Sequence, residues 1–327
     1  MRLHAARCRD YGDPNGEWTM RGFAGAGAAR RAVRACESEG EAFGHRSALE
    51  RRRLPCNLAR AVPFVACGRA GPRNEEDVVA PSSDDRVVYA PIDVLKPVTE
   101  DLFIVDSGPL RIMGLPLPVR MTVIRLANGD VLMHSPTRFD ARLKAEIEAI
   151  GPIRHLVAPN IAHWSFLLDW QRECPQAATW AAPGLRQRSQ VKASGVQLDR
   201  DLPDASPPEW AGEIEQAIVP DAAGFREVAF FHRPSRTLVL TDLIVNLEPD
   251  KLPLAARAFA WATGTLAPDG KAPAYLRLVV KRRRAAARTA AGELVAFAPE
   301  RVIFAHGRWF DRDGAAQLRR SLNWLLD

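Results

Sequence analysis

From Val87 onward the chain is a series of short apolar runs separated by polar turns, and three of those runs end alike. Val302 to Ala305 leads into His306-Gly307, Thr237 to Leu240 leads through Thr241 into Asp242, and His155 to Ala158 leads into Pro159-Asn160 and then His163. Runs of this length, bounded by Gly, Pro or Asn, predict buried strands. Each therefore delivers a ligand-capable side chain just past a strand end, where sites collect in sheets flanked by helices.

The remaining pattern fills in around these strands. Leu102 to Asp106 reads as a buried strand. Met121 to Leu126 and Asp130 to Met133 flank Asn128-Gly129, which predicts a hairpin with a type I′ turn. His134-Ser135-Pro136 follows that hairpin, again placing polar residues directly after a strand. Phe139 to Ile150 has helical spacing and stops at Gly151, so the chain runs strand, helix, strand up to Ala158. Helices are expected over 166–172 and 185–192, with a strand over 177–180 between them. The stretch 199–210, rich in Pro, Asp and Ser, predicts a surface connection. Two strands, 213–219 and 227–231, precede a turn at Pro234-Ser235-Arg236, which leaves His232 exposed in a hairpin. Leu252 to Ala262 predicts a short buried helix. Helix is also expected from Ala274 to about Phe297, and a closing helix over Gly314 to Leu326. No repeat of 20 to 50 residues stands out, which excludes a solenoid or propeller. Two β-rich halves with helices give a mixed α/β (α+β) class, its sheets packed together and covered on the outside.

Residues 1–86 are of another kind. Gly, Ala, Arg and small polar residues dominate them without a period of 2 or 3.6, so a low-complexity, disordered extension is expected, followed by one domain over 87–327. Arg51-Arg52-Arg53 ahead of Leu58 to Cys67 has the look of a targeting signal, but Arg60 and Pro63 interrupt its apolar part and it starts fifty residues in. Four of the five cysteines lie in the first 70 residues and none forms a CxxC pair. That excludes a zinc ribbon or a dithiol redox motif and predicts a domain without disulfides, suited to a reducing, cytoplasmic setting. No apolar run reaches the ~20 residues of a membrane-spanning helix. With 47% hydrophobic and 26% charged residues the chain has ordinary globular composition. Its net charge of +6 falls short of the clustered patch that would argue for nucleic acid. Lys281-Arg-Arg-Arg284 predicts a solvated helix face, Trp164 and Trp170 predict core packing, and Asp242 could cap a following helix.

Several stretches together resemble the metallo-β-lactamase fold and, more narrowly, the uncharacterised DUF4336 family. They are Arg120 to Leu126, His134-Ser-Pro136, Ala158-Pro-Asn160 with His163, Phe231 to Leu238 with Thr241-Asp242-Leu243, and His306-Gly307. The resemblance implies a four-layer αββα sandwich with a metal site at one edge of two central sheets. In active members a His-x-His-x-Asp-His loop and later residues supply ligands to two metals. On that pattern Ala158 and Asn160 stand where the first two histidines would be, Ala162 replaces the aspartate, and His163 keeps the last histidine. Asp221 stands where a further histidine is expected, Asp242 matches the bridging aspartate, and His306 matches the final histidine. The resemblance thus implies one incomplete metal position and one that keeps His163, Asp242 and His306. The latter set suits a single divalent ion, zinc, iron or manganese. His134, Asn160 and Asp221 are candidates for the surrounding pocket or for partners of the ligands. The expected function is a mononuclear metal-dependent, hydrolase-like enzyme acting on a small molecule. The alternative is a metal-free, non-catalytic binding or scaffold protein that uses the former cleft or the basic helix 276–296.

Overall fold

Strands that show little alternation should be covered on both faces, and these are. The computed structural model describes residues 86–112, 114–220 and 226–327. The first sheet contains β1 (Lys96–Pro97), β2 (Leu102–Ile112), β3 (Leu115–Arg125), β4 (Val131–His134), β5 (Ile153–Ala158), β6 (Ala178–Ala181) and β7 (Arg200–Asp201) in simple sequential order. Its first four strands are antiparallel and the pairings from β4 to β7 are parallel. Parallel pairing needs crossovers, which α1 (Ala141–Glu148), α2 (Leu167–Glu173) and α3 (Ser189–Ser194) supply.

The second sheet is built from β8 (Ile214–Pro220), β9 (Arg226–His232) and β10 (Thr237–Val239), with the later β12 (Arg301–Ile303) added parallel to β10. Between β10 and β12 the chain passes through β11 (Val245–Asn246), α4 (Leu254–Thr263), α5 (Ala274–Val280) and α6 (Arg284–Ala296). It finishes with β13 (His306–Gly307) and α7 (Gly314–Leu326). β11 and β13 pair in parallel, with Val245 opposite His306 and Asn246 opposite Gly307.

The core follows the two-residue period of the strands. Leu102, Ile124, Val157 and Trp180 of the first sheet meet Phe230, Val239 and Ile303 of the second. On the far side of the first sheet Val105, Met121 and Leu156 pack on Leu143, Ile147 and Trp170. Beyond the second sheet Leu238 and Val302 pack on Leu276, Leu294, Leu318 and Leu322. Helix, sheet, sheet, helix is the expected αββα order. Trp164 and Trp170 are core residues, and Trp170 Nε1 donates to the Thr137 carbonyl at 2.8 Å. Among the described residues no helix is long and apolar enough to cross a membrane.

Several expectations need correction. The 126–130 loop does form a hairpin, but only Gly129 has positive φ (87°), so the turn is not type I′. Instead Asn128 Oδ1 accepts from Asp130 N at 2.9 Å and organises a longer loop. His232 is 1% exposed, because it still pairs with Ile214 and Thr237 and the turn begins one residue later. The helix expected over 274–297 is broken: Lys281–Arg283 forms a single 3₁₀ turn and Arg283 leaves helical geometry (φ −111°, ψ 36°). Helix α4 is not buried. It inserts only Ala256 and Ala260, while Leu254, Arg257, Phe259 and Trp261 face solvent. Residues 1–85, the expected extension, and Asp221 lie outside the described residues.

Candidate metal centre

Three chain segments converge on one rim. The loop after β5 carries His163, the bend after β10 carries Asp242, and the start of β13 carries His306. His163 Nε2 stands 3.3 Å from Asp242 Oδ2, and His306 Nε2 stands 3.3 Å from Asp242 Oδ1. One carboxylate therefore faces two imidazoles, one on each oxygen. The ligand-capable atoms of all three residues lie within 4.8 Å of one another. Donors at arms of about 2.0–2.2 Å around a tetrahedral ion are roughly 3.3–3.6 Å apart, a range that each histidine–carboxylate separation meets, at a different oxygen of the carboxylate.

The hydrogen bonds behind the ligands settle one tautomer. His306 Nδ1 contacts the Pro118 carbonyl at 2.8 Å, and a carbonyl can only accept. The proton of a neutral His306 must therefore sit on Nδ1, which leaves the Nε2 lone pair aimed at Asp242. Two acceptors at 3.3 Å repel unless a proton or a cation lies between them. His163 has a similar support, its Nδ1 lying 2.6 Å from Ser135 Oγ. Ser135 presents that hydroxyl from a left-handed backbone conformation (φ 57°), a strained state for a residue other than glycine. Outer partners of this kind orient metal-binding imidazoles and fix their tautomers.

Asn160 organises the first loop from within. Its Oδ1 accepts from Ala162 N (2.7 Å) and His163 N (3.0 Å). Its Nδ2 donates to Thr241 Oγ1 (2.9 Å) and Asp242 Oδ2 (2.7 Å). This fully buried amide thus holds the His163 backbone and the Asp242 carboxylate together.

The Asp242 loop is held by a residue that sequence reasoning passed over. Glu227, the second residue of β9, is fully buried and accepts from Thr241 N (2.7 Å), Asp242 N (2.8 Å) and Leu243 N (2.9 Å). Burial and the Asp242 charge push Glu227 up to about 7 against the pull of these amides. Burial also raises Asp242, but His163 and His306 outweigh it by charge and hydrogen bonding and hold the carboxyl well below the usual range. No helix follows Asp242 directly, so it is not a helix cap.

Buried Arg120 fixes the third segment, donating to the carbonyls of Phe304 (3.0 Å) and Gly307 (2.8 Å) and pairing with Asp106 at 2.5 Å. Gly307 has φ 92°, and a Cβ there would collide with the Asn246 backbone, so glycine is required beside His306.

Of the expected pocket residues, Asn160 touches Asp242. His134 stands one step back, neighbouring Ser135 and lying 5.2 Å from the Phe230 ring. Burial, then the charge of His163, bring His134 down to about 3. Ser135, Glu227 and Arg120 are the positioning residues missed. The only signal for the last two was a charge inside an otherwise apolar strand. Tyr275 stands in the first turn of α5. Burial of its phenol and the Asp242 carboxylate push it up to about 12, although the residue as a whole is exposed.

Residues 108–262 match the family described as "Domain of unknown function (DUF4336)". No curated protein matches the chain. Among solved structures it is similar to rubredoxin oxygen:oxidoreductase from Desulfovibrio gigas, at 13% identity and a TM-score of 0.50, covering 71% of this chain and 60% of that one. A metallo-beta-lactamase from Pontibacter korlensis aligns at 11% identity and a TM-score of 0.49, covering 71% and 98%. The metallo-beta-lactamase FIM-1 from Pseudomonas aeruginosa, in a mono-zinc form, aligns at 13% and 0.49, covering 71% and 94%. At such identities the likeness is one of fold alone.

Proposed function

We propose, from the match of residues 108–262 to the DUF4336 family and a fold like that of metallo-β-lactamases, that the chain is a mononuclear metal-dependent enzyme of hydrolase-like chemistry. His163, Asp242 and His306 hold one divalent ion, and the reading rests on their convergence within 4.8 Å. Two imidazoles and a carboxylate suit zinc, iron(II) or manganese. An ion bound there would activate a water toward neutral pH or polarise a carbonyl or phosphoryl oxygen of a small-molecule substrate. The chain's own residues do the rest. Pro118 and Ser135 keep the two imidazoles turned with Nε2 toward the site, His163 and His306 keep the Asp242 carboxylate ionised, and Asn160 and Glu227 keep it in place through its side chain and its backbone.

A dinuclear centre is not proposed. Asn160 offers Asp242 an amide donor where a second ion would need a ligand, and exposed Ala162 brings no carboxylate to orient an attacking water. Those two residues also support a second reading, in which the domain binds a ligand in the cleft without turnover.

Elemental analysis of the purified full chain separates the outcomes. Close to one equivalent of a transition metal is expected, lost in both His163→Ala and His306→Ala with the circular dichroism spectrum unchanged. Slow cleavage of p-nitrophenyl esters or phosphodiesters that disappears in Asp242→Ala would mark the enzyme. Metal without any turnover would mark the binding protein. A chain that stays metal-free after incubation with zinc, iron(II) and manganese would sink both the centre and the enzyme.

A further inference from the structure

The helices between β11 and β12 present a surface of unusual make-up. Leu254, Trp261 and Leu278 are 84%, 76% and 62% exposed, and Phe259 and Tyr275 are exposed beside them. Single exposed apolar residues are ordinary, but five large ones on two successive helices are not. The helices are tied together: Arg277 of α5 donates to the Thr263 carbonyl at the end of α4 at 3.2 Å. That bond sets the α4 turn carrying Trp261 beside the α5 turn carrying Leu278. One turn further on, Lys281-Arg282-Arg283-Arg284 is exposed.

Charge decides what such a surface can meet. Between residues 252 and 292 the single acid is Asp269, and it pairs with Arg320 at 3.1 Å. Among the described residues none of Arg257, Lys281, Arg282, Arg283 and Arg284 has an ion-pair partner. A second copy docking face to face would set one basic run against the other. Residues 1–85 carry more arginines than acids and would not neutralise the run either. An anionic lipid surface meets both requirements at once, with acyl chains for Leu254 and Trp261, which share one side of α4, and headgroup charge for the basic turn.

We propose that this face, formed by α4, α5 and the turn at Lys281–Arg284, docks the protein on anionic membrane surfaces. The inference stands without the metal reading, since it uses none of the three ligands.

The test is flotation of the full chain with phosphatidylcholine vesicles, with and without phosphatidylserine. Binding is expected only to the phosphatidylserine vesicles, and it should weaken between ~0.1 M and ~0.5 M salt as charge is screened. Arg282→Ala with Arg283→Ala should lower the partition coefficient roughly tenfold or more. Leu254→Ser with Trp261→Ser should lower it about as far at unchanged melting temperature, since both side chains are exposed. Absence from the phosphatidylserine fraction would overturn the proposal. So would equal binding by both double variants, which would place the contact elsewhere on the chain. Retention of single-stranded RNA without vesicle binding, or a concentration-dependent dimer that ignores vesicles, would overturn it as well.

Discussion

The two loops that meet at Asp242 are ordered from opposite directions. The 159–163 loop is ordered largely from within, because Asn160 binds the amides of Ala162 and His163, two and three residues on. The 241–243 bend has no such internal support. Its three amides converge on Glu227, which arrives from a neighbouring strand 14 to 16 residues earlier. A short-range device can be placed by local sequence, whereas a long-range one depends on the sheet being assembled first. The second kind carries the larger energetic stake, since its acceptor is a buried charge.

Removing Glu227 is therefore the strongest way to break the contrast. Glu227→Ala strands three amides and should cost on the order of 3–5 kcal/mol in urea unfolding, with loss of any bound metal. A change within about 1 kcal/mol would mean that the bend holds itself. The next test is acid, directed at the support behind the first loop. His134, His155 and His232 are all buried and all held below their ordinary range by burial. In the unfolded chain they take up protons below about 6.5, while in the folded protein they remain neutral. Their contribution is therefore complete above that pH and lost as pH falls. For His134, which titrates near 3 when folded, the loss between pH 6.5 and 5 is about 2 kcal/mol. The drop in stability over that interval should be smaller by a similar amount in His134→Phe. An identical drop in both proteins would rule His134 out.

Asn160→Ala comes third. The first loop should lose about 1–2 kcal/mol, and metal affinity should fall roughly 10–100-fold as Asp242 loses its donor. If instead it unfolds the protein as Glu227→Ala does, the two loops are not distinct. Ser135→Ala is the mildest: stability should stay within about 1 kcal/mol while metal affinity drops about tenfold. Unchanged affinity would show that the His163 ring is oriented without the hydroxyl.

The same contrast explains what the sequence made legible. Apolar runs ending in His163, Asp242 and His306 could be read as three strand ends, and α7 spans the Gly314 to Leu326 expected from its spacing. Family resemblance then supplied their grouping on one rim. Glu227 stayed hidden because nothing near it in sequence shows which backbone it will lie beneath. His232 was misplaced for a related reason: a histidine next to an arginine and a turn looks exposed until the strand pairing on both sides of it is known. Helix α4 was misjudged because almost every position is apolar, which predicts burial.

That helix has a kinetic side as well. Helix α4 buries only Ala256 and Ala260 and is otherwise tied down by the Arg277–Thr263 bond, while the sandwich beneath is closed by Leu, Ile and Trp side chains. Its amides should open at a small fraction of the global unfolding free energy and exchange with deuterium well before those of β5 and β9. Equal protection across α4 and these strands would argue otherwise. Exchange of that kind would make α4 a plate that lifts and reseats on the outer wall while both sheets stay intact.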